Sequence, residues 1–344
     1  MSNPLRKNIS NNPQTITIAS IADELGISKS TVSRVLSGKG RISEETRQKV
    51  LNYAEEHNYT PNLLAKGLAT SKTFNIGVVL PRDASQTDMP FFHTCLAGIT
   101  EEASKQNYDI LVSLTTGNEI DNIEKTVRNN KVDGIILTRL LQNDQRVKYL
   151  QTTSVPFLVI GTSDDSEIIQ IDSNNEEACI IFTKELIKKG FKSFIFICAN
   201  SNIVVNSQRC KGFLKAMEDS NIPEKDYKIF SDIDTSIQVS QCLNILSERD
   251  YDCVICSDDV LCTYAISCLK DMKKRIPDDI KLASFYNSVL LSQNVPAISA
   301  ININASDIGS KAASVLCKLL QDETVTDIKN YVNYEFLFRD STLS

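Results

Sequence analysis

Basic and hydroxyl side chains between residues 28 and 37 recur in a pattern that could bind a polyanion. A helix over residues 29–37 turns Val32, Val35 and Leu36 to one side at helical spacing. The opposite side then carries five polar residues, which are Lys29, Ser30, Thr31, Ser33 and Arg34. No acidic residue lies between Glu24 and Glu44. Because such donors suit phosphate oxygens and base edges, the pattern predicts a helix that enters the major groove of DNA.

The polar residues of this region divide into two expected kinds of contact. Lys29, Ser30 and Arg34 are spaced to reach base edges, and an arginine can form a bidentate pair with guanine. Hydroxyl groups are better suited to phosphate oxygens, and those in question are Thr17, Ser28, Thr31 and Ser33. A solvated helix face without a DNA partner is the alternative interpretation, so the neighbouring elements decide between the two.

The elements around this helix are those that would present it to DNA. A first helix is predicted over residues 19–25, Gly26 follows it as a C-terminal cap, and Ser28 is placed to cap the second helix. A third helix begins after Ser43, and its Thr46, Val50 and Ala54 repeat at a spacing of four. Three helices over about fifty residues, ended by Pro61, predict a helix-turn-helix domain.

Specific segments make the chain similar to a known family. They are ITIASIADELGISKSTVSRVL, RISEETRQKV, NYTPNLLAKGLAT, FNIGVVLPRD, KVDGIILT, CSDDVL and FLFRDST. The chain resembles the lactose-repressor family of bacterial transcription regulators over about residues 15–342. FYNSVLLSQ and AININASDIGSKAA are most similar to the maltose-operon repressor group.

The resemblance implies a hinge helix at residues 62–70 that enters the minor groove. Leu68 would be the apolar wedge at the central base step, although it could also be an ordinary linker leucine. Lys66 stands where the family usually has arginine. Further DNA contacts are expected from Thr46, Tyr59 and Asn62. Because the segment is short and contains Gly67, we expect it to be disordered without DNA and to fold on DNA.

Length and charge divide the chain into a basic head and an acidic body. The 344 residues leave room for two or three domains. Residues 1–72 carry ten Lys or Arg and six Asp or Glu, a net charge of +4, and the remainder carries 27 and 37, a net charge of −10. This asymmetry suits a protein that touches DNA at one end.

Several classes of protein are disfavoured by the sequence. There is no apolar run of about 18 residues, and residues 1–14 read as a disordered lead-in without a signal peptide, so we expect a cytoplasmic, nucleoid-associated protein. The ten cysteines lack zinc-ligand spacing and are expected to be reduced, with no metal or other cofactor. With only two histidines, His57 and His93, and no catalytic motif, we expect no enzyme.

Beyond residue 73, apolar runs alternate with amphipathic helical stretches. The runs are residues 76–80, 110–114, 134–138, 157–160, 194–198, 253–256 and 281–285. Continuous apolar strands separated by helices predict parallel sheets covered on both faces, and about 265 residues favour two such sheets.

The predicted fold class is therefore an all-α helix-turn-helix head (15–61), a hinge (62–72) and an α/β body (73–344). The resemblance implies a two-lobed periplasmic-binding-protein-like body whose chain crosses between lobes near Asp172, Ala300 and Asp327. The first lobe would hold residues 73–172 and 302–326, and the second 173–300 and 328–340. Without a heptad tail after FLFRDST, a homodimer is expected.

Open α/β sheets bind ligands beyond the carboxyl ends of their strands, and seven side chains are candidates on that rule and the resemblance. They are Asp83, Phe91, Phe92, Arg209, Asp258, Tyr286 and Asn287. The phenylalanines could instead be core, Arg209 could be a surface charge, and Asp259 is expected to cap the helix after Asp258. The implied ligand is a sugar, maltose first, that releases operator DNA; a corepressor or a protein partner is the alternative.

Overall fold

The computed structural model describes residues 16–36, 40–57, 59, 67, 70–82 and 89–343. The predicted lead-in, most of the predicted hinge and Asp83 lie outside the described residues. The chain separates into two units, residues 1–72 and residues 73–344, and each is described by itself.

Three short helices occupy residues 16–36 and 40–57 of the N-terminal unit. They are α1 (Ile18–Glu24), α2 (Lys29–Leu36) and α3 (Glu44–Glu56). Thr17 and Ser20 form a reciprocal capping box at the start of α1, and Ser43 caps α3 by accepting the Thr46 N–H. Gly26 has a φ of +63°, which lets the chain turn sharply after α1. The buried side chains that hold the helices together are Ile21, Ala22, Val32, Val35 and Val50.

One parallel sheet forms the first lobe of the C-terminal unit. Its strand order is β11-β5-β4-β3-β1-β2. The strands are β1 (Asn75–Pro81), β2 (Asp109–Thr115), β3 (Gly134–Leu137), β4 (Phe157–Ile160), β5 (Gln170–Asp172) and β11 (Lys329–Tyr331). β1 and β3 are buried almost throughout, as the continuous apolar runs predict.

A second six-stranded sheet forms the other lobe in the order β12-β10-β9-β8-β6-β7. The strands are β6 (Phe194–Ile197), β7 (Tyr227–Phe230), β8 (Cys253–Cys256), β9 (Lys281–Ser284), β10 (Ser299–Ile303) and β12 (Tyr334–Leu337). Only β12 runs antiparallel to its neighbour, β10.

Nine helices among the described residues connect these strands and cover the sheets. They are α4 (Met89–Lys105), α5 (Asp121–Arg128), α6 (Gln145–Gln151), α7 (Asn175–Lys188), α8 (Val204–Asp219), α9 (Ser236–Leu243), α10 (Asp259–Asp271), α11 (Val289–Gln293) and α12 (Ala305–Leu320). None of the helices in the described ranges is long and apolar enough to cross a membrane.

The chain crosses between the lobes three times, and two crossings lie later than predicted. β5 ends at Asp172, next to the first crossing. β10 continues to Ile303 in the second sheet, so the crossing expected near Ala300 follows at Asn304. β11 pairs with β5 in the first sheet, so the crossing expected near Asp327 falls after Tyr331 instead. The prediction was wrong there because a three-residue strand has no visible periodicity.

Candidate DNA-binding surface and ligand cleft

Four of the five predicted polar residues on α2 are exposed, and they lie opposite its buried side. Lys29, Ser30, Ser33 and Arg34 are exposed, while Thr31 is half-buried. The methylene chain of Arg34 lies near Gly40, where a Cβ atom would approach Arg34 Cδ to 3.4 Å. The helix therefore offers one continuous polar strip with two cations.

Some of the predicted hydroxyl groups are engaged within the head. Ser28 Oγ accepts the Thr31 N–H at 3.1 Å and lies 2.7 Å from Ser30 Oγ and 2.8 Å from Thr31 Oγ1. Thr46 Oγ1 lies 2.8 Å from Ser43 Oγ. These contacts fix the first turns of α2 and α3, and a hydroxyl can still accept or donate a second hydrogen bond to phosphate.

Tyr59, predicted as a DNA contact, is half-buried against the core of the head. Burial raises the pKa of its phenol, so the group is a neutral donor at physiological pH. The other three contacts predicted for this region, Asn62, Lys66 and Leu68, lie outside the described residues, as does the predicted hinge disorder.

A cavity of about 700 Å³ lies between the two lobes of the C-terminal unit. All the predicted ligand residues that the structure describes line it, and these are Phe91, Phe92, Arg209, Asp258, Tyr286 and Asn287. Both lobes contribute, since the phenylalanines come from α4 and the remainder from the second lobe. His93 next to them is exposed.

Aromatic rings and one guanidinium form a wall of this cleft. Phe91 meets Tyr286 edge to face with ring centroids 5.8 Å apart, and it meets Phe92 in the same way at 5.2 Å. Arg209 lies on α8, and its Cζ is 5.8 Å from the centroid of the Tyr286 ring. Arg209 is only 7% exposed, so it is not a surface charge. Rings in this setting can pack on the apolar face of a sugar.

Asp172 supplies a buried carboxylate that interacts electrostatically with Arg209. Its oxygens accept hydrogen bonds from Thr162 Oγ1 at 2.6 Å, Ser173 N at 2.7 Å and Asn175 Nδ2 at 2.6 Å. Burial raises the pKa of Asp172, and these hydrogen bonds and the charge of Arg209 act in the opposite direction. The three donors hold the carboxylate at the first crossing between the lobes.

Two predicted ligand residues have structural partners that the sequence did not reveal. Asp258, rather than Asp259, caps α10, because its Oδ1 accepts the Leu261 N–H at 2.9 Å. Its Oδ2 accepts the Ser257 hydroxyl, also at 2.9 Å. Asn287 donates to Asn302 Oδ1 and accepts from Arg339 Nη1 at 2.8 Å. Asn287 therefore shapes the cleft wall with both ends of its amide occupied.

Three further polar atoms point to a ligand, and two of them belong to residues that sequence reasoning missed. Ser173 Oγ, Arg209 Nε and Ser288 Oγ are buried and have no hydrogen-bond partner within the part of the chain that the structure describes. All three residues line the cleft. Ser173 follows β5 and Ser288 follows β9 after a short loop, so the strand-end rule could have found both.

The lobes are bonded to each other beside this cleft. Leu140 O accepts the Val204 N–H at 3.1 Å, and Asn202 O accepts the Gln142 N–H at 2.8 Å. Leu141 and Ile203 form the antiparallel bridge between these bonds. Leu140 also borders a second cavity of about 630 Å³, which is lined mainly by charged and amide side chains.

Known proteins match both units of the chain. Residues 17–62 match the lacI family of bacterial regulatory proteins, and residues 183–342 match a periplasmic binding protein-like domain. The HTH-type transcriptional regulator MalR of Staphylococcus xylosus is 30% identical over 334 residues, which cover 95% of this chain and 98% of that protein. The chain belongs to the lacI family. It is a transcription regulator, and the predicted family and fold class are confirmed.

Solved structures support the fold of this lacI-family regulator. A probable maltose operon transcriptional repressor, malR from Staphylococcus aureus, has a TM-score of 0.72 and 27% identity, covering 79% of this chain and 98% of its own. The lac repressor dimer bound to operator and the anti-inducer ONPF has a TM-score of 0.76 and 22% identity, covering 96% of this chain and 100% of its own. The relatives are regulators of transcription rather than enzymes.

Proposed function

We propose that this lacI-family regulator is a homodimeric repressor of a sugar-utilisation operon that acts in the cytoplasm. Each α2 helix enters the major groove of one half-site of a palindromic operator. A sugar bound between the lobes weakens this binding. Maltose or a similar α-glucoside is the first candidate, because a relative of known structure is named as a probable maltose operon repressor.

The observation that carries the sugar proposal is the set of unsatisfied polar atoms in the cleft. A buried polar atom without a partner costs about 1–3 kcal/mol, so native structures rarely keep several of them in one place. Ser173 Oγ, Arg209 Nε and Ser288 Oγ are three such atoms around one cavity. Together they can bind several hydroxyl groups of a single ligand.

Aromatic side chains in the same cavity favour a sugar over a purely ionic ligand. Phe91 and Tyr286 add apolar ring surface to a cavity that the hydroxyl side chains of Ser173 and Ser288 also line. A sugar ring has one apolar face and a rim of hydroxyl groups, which matches this arrangement. The cavity of about 700 Å³ lies in the range usual for small-molecule sites and is large enough for a disaccharide.

The decisive experiment is fluorescence anisotropy of the full chain on a labelled palindromic operator, with and without maltose or maltotriose. We expect the sugar to weaken operator binding. Unchanged binding would sink the proposed sugar, whereas tighter binding would make the ligand a corepressor. Isothermal titration calorimetry on the same protein reports sugar binding separately from its effect on DNA.

Two serine variants test the assignment of the cleft. Ser173→Ala and Ser288→Ala should each raise the sugar Kd by roughly 3- to 10-fold, the loss of one neutral hydrogen bond, and leave operator affinity without sugar unchanged. The matched control is Ser104→Ala, which removes an exposed hydroxyl on α4. Sugar affinity equal to wild type in both cleft variants would refute the assignment.

A further inference from the structure

The segment KVDGIILT contains an acidic residue that the ligand cleft does not use. Asp133 lies immediately before β3, and its carboxylate accepts three hydrogen bonds from the first residues of the C-terminal unit. Oδ1 accepts the Thr73 N–H at 2.7 Å and the Thr73 hydroxyl at 2.8 Å, and Oδ2 accepts the Phe74 N–H at 2.9 Å. Charge-assisted hydrogen bonds of this kind are stronger than neutral ones.

Other contacts hold the same short segment from both sides. The Asp133 N–H donates to Asn75 O at 2.8 Å, and Asn75 Nδ2 donates to Lys131 O at 3.1 Å. The Asp109 N–H donates to Phe74 O at 2.8 Å. Residues 73–75 are therefore tied to the loop before β3 and to the start of β2.

The backbone of this segment also adopts a conformation that needs such support. Phe74 has a φ of +55° and Ser71 has a φ of +53°. A positive φ is rare for an aromatic residue and persists where the surroundings determine it. Phe74 is nearly buried and its ring lies 5.8 Å from that of Tyr108. The carboxylate of Asp133 thus keeps a strained turn in place.

The position of Asp133 links this turn to the cleft. β3 begins directly after Asp133 and leads to Thr138 and Leu140, which line the cavity. Leu140 also accepts the Val204 N–H across the lobes. One buried four-residue strand therefore joins the ligand cleft to the residues where the C-terminal unit begins.

We propose that Asp133 is a positioning residue that makes the start of the C-terminal unit stiff, so that ligand binding between the lobes changes operator affinity. The proposal rests on the proposed function, because it needs a ligand and an operator. A stiff joint passes a movement of the first lobe along the chain to residues 1–72. A loose joint does not transmit that movement, so ligand binding and operator binding become independent.

The test compares the wild-type full chain with Asp133→Asn, which keeps the shape but loses the charge and one acceptor. In the wild type we expect maltose to lower operator affinity by roughly 5- to 150-fold, the range usual for coupled sites. In Asp133→Asn this factor should fall toward one, while the sugar Kd measured by calorimetry stays the same. A merely structural role would lower the melting temperature without removing the coupling.

Two further variants test whether the loss of coupling follows the loss of hydrogen bonds to Asp133. Thr73→Val removes one of the three donors and should reduce the coupling only in part. Asp109→Asn is the matched control, because it makes the same charge change on an exposed residue whose backbone N–H, which the substitution keeps, donates to Phe74 O. The proposal would be overturned if maltose lowered operator affinity by the same factor in Asp133→Asn as in Asp109→Asn and the wild type.

Amide hydrogen exchange separates failure of this inference from failure of the proposed function. In Asp133→Asn the amides of Thr73 and Phe74 should exchange about tenfold faster or more, as expected when a hydrogen bond to a charged group is lost. Unchanged exchange overturns the positioning role even if no sugar acts on the wild type. A wild type that ignores every sugar, with faster exchange in the variant, refutes the sugar effector alone.

Discussion

Three side chains in the cleft carry a stability cost that a bound ligand would relieve. Ser173, Arg209 and Ser288 each bury an atom without a partner among the described residues. A ligand that satisfies these atoms binds only the folded chain, so it should also raise the melting temperature. The wall of Phe91 and Tyr286 keeps its shape without the ligand, since the two rings already pack edge to face.

Arg34→Ala should relax the sequence preference of the head. An exposed guanidinium that pairs with guanine contributes about 1–3 kcal/mol of discrimination, so operator affinity should fall while affinity for unrelated DNA changes little. Ser33→Ala, a neighbouring exposed change, should weaken all DNA alike. Anisotropy titrations on operator and scrambled duplexes give both values, and an equal loss on the two duplexes for Arg34→Ala would exclude a base contact.

Cys210 should be the thiol that alkylating reagents modify first near neutral pH. A hydrogen bond from Cys198 lowers the pKa of Cys210 to about 7, against the opposing effect of burial. Cys210 therefore loses its proton between about pH 6 and 8. Because the thiolate is the reactive form, the alkylation rate of Cys210 should rise over that range and level off above it. Cys210 is half-buried, whereas the other nine cysteines are buried.

Peptide mapping after brief iodoacetamide treatment across this pH range measures the effect, with Cys210→Ser as the control. A rate that keeps rising up to pH 9, as for an ordinary thiol, would contradict the lowered pKa.

The limits of sequence reasoning at the residue scale follow from local chemistry. Tyr286 could be placed in the cleft because it follows β9, whereas Arg209, which lies within α8, could be placed there only through the family resemblance. Asp258 and Asp259 could not be told apart, since adjacent carboxylates offer the same group and only the backbone decides which one caps α10. The partners of Asn287 come from residues 302 and 339, and no local pattern reveals such contacts.

At the scale of elements, α4 and α12 of the first lobe pack with their backbones in contact. A Cβ atom added at Gly309 of α12 would lie 2.0 Å from Cys95 O of α4, and one added at Gly98 would lie 2.2 Å from Ser306 O. The two backbones therefore touch, and the glycines are required by the distance between the helices. Continuous apolar runs predicted the central strands well, while β5 and β11, with three residues each, left no signal.

Gly309→Ala should destabilise the first lobe. The added methyl group meets backbone that cannot move without separating α4 from α12, and overpacking of this kind costs about 1–3 kcal/mol. The midpoint of thermal unfolding should fall, as measured by circular dichroism. Lys311→Ala, an exposed change on the same helix, is the control, and a midpoint equal to the control would mean that the helices can separate freely.

At the scale of the whole molecule, charge is distributed to favour contact with DNA through one unit. Residues 1–72 have a net charge of +4 and the remainder has −10. Operator binding should weaken as salt concentration rises, and this dependence should come from the head alone. The body has a net negative charge, as DNA has, and therefore neutralises no phosphate. The charge difference was predictable from the sequence, since it depends only on the order of charged residues along the chain.

The spacing of half-sites tests the proposed homodimer. Inserting about five base pairs at the operator centre turns one half-site by half of the roughly 10-base-pair helical turn. Two linked heads can then no longer bind the same face, so the affinity should drop to that of one half-site. Inserting a full turn of about ten base pairs should restore part of the affinity. Equal affinity for all three duplexes would mean that each head binds alone.

Two backbone hydrogen bonds join the lobes, one between Leu140 and Val204 and one between Gln142 and Asn202. They bear on the rate at which a ligand leaves the cleft rather than on its affinity. A molecule held between the lobes should leave on that side only after both bonds break. The rate of escape should therefore depend on these bonds, and a variant such as Val204→Pro, at a helix position that tolerates proline, should shorten the bound lifetime. In a cell, that lifetime decides how long the response outlasts the signal.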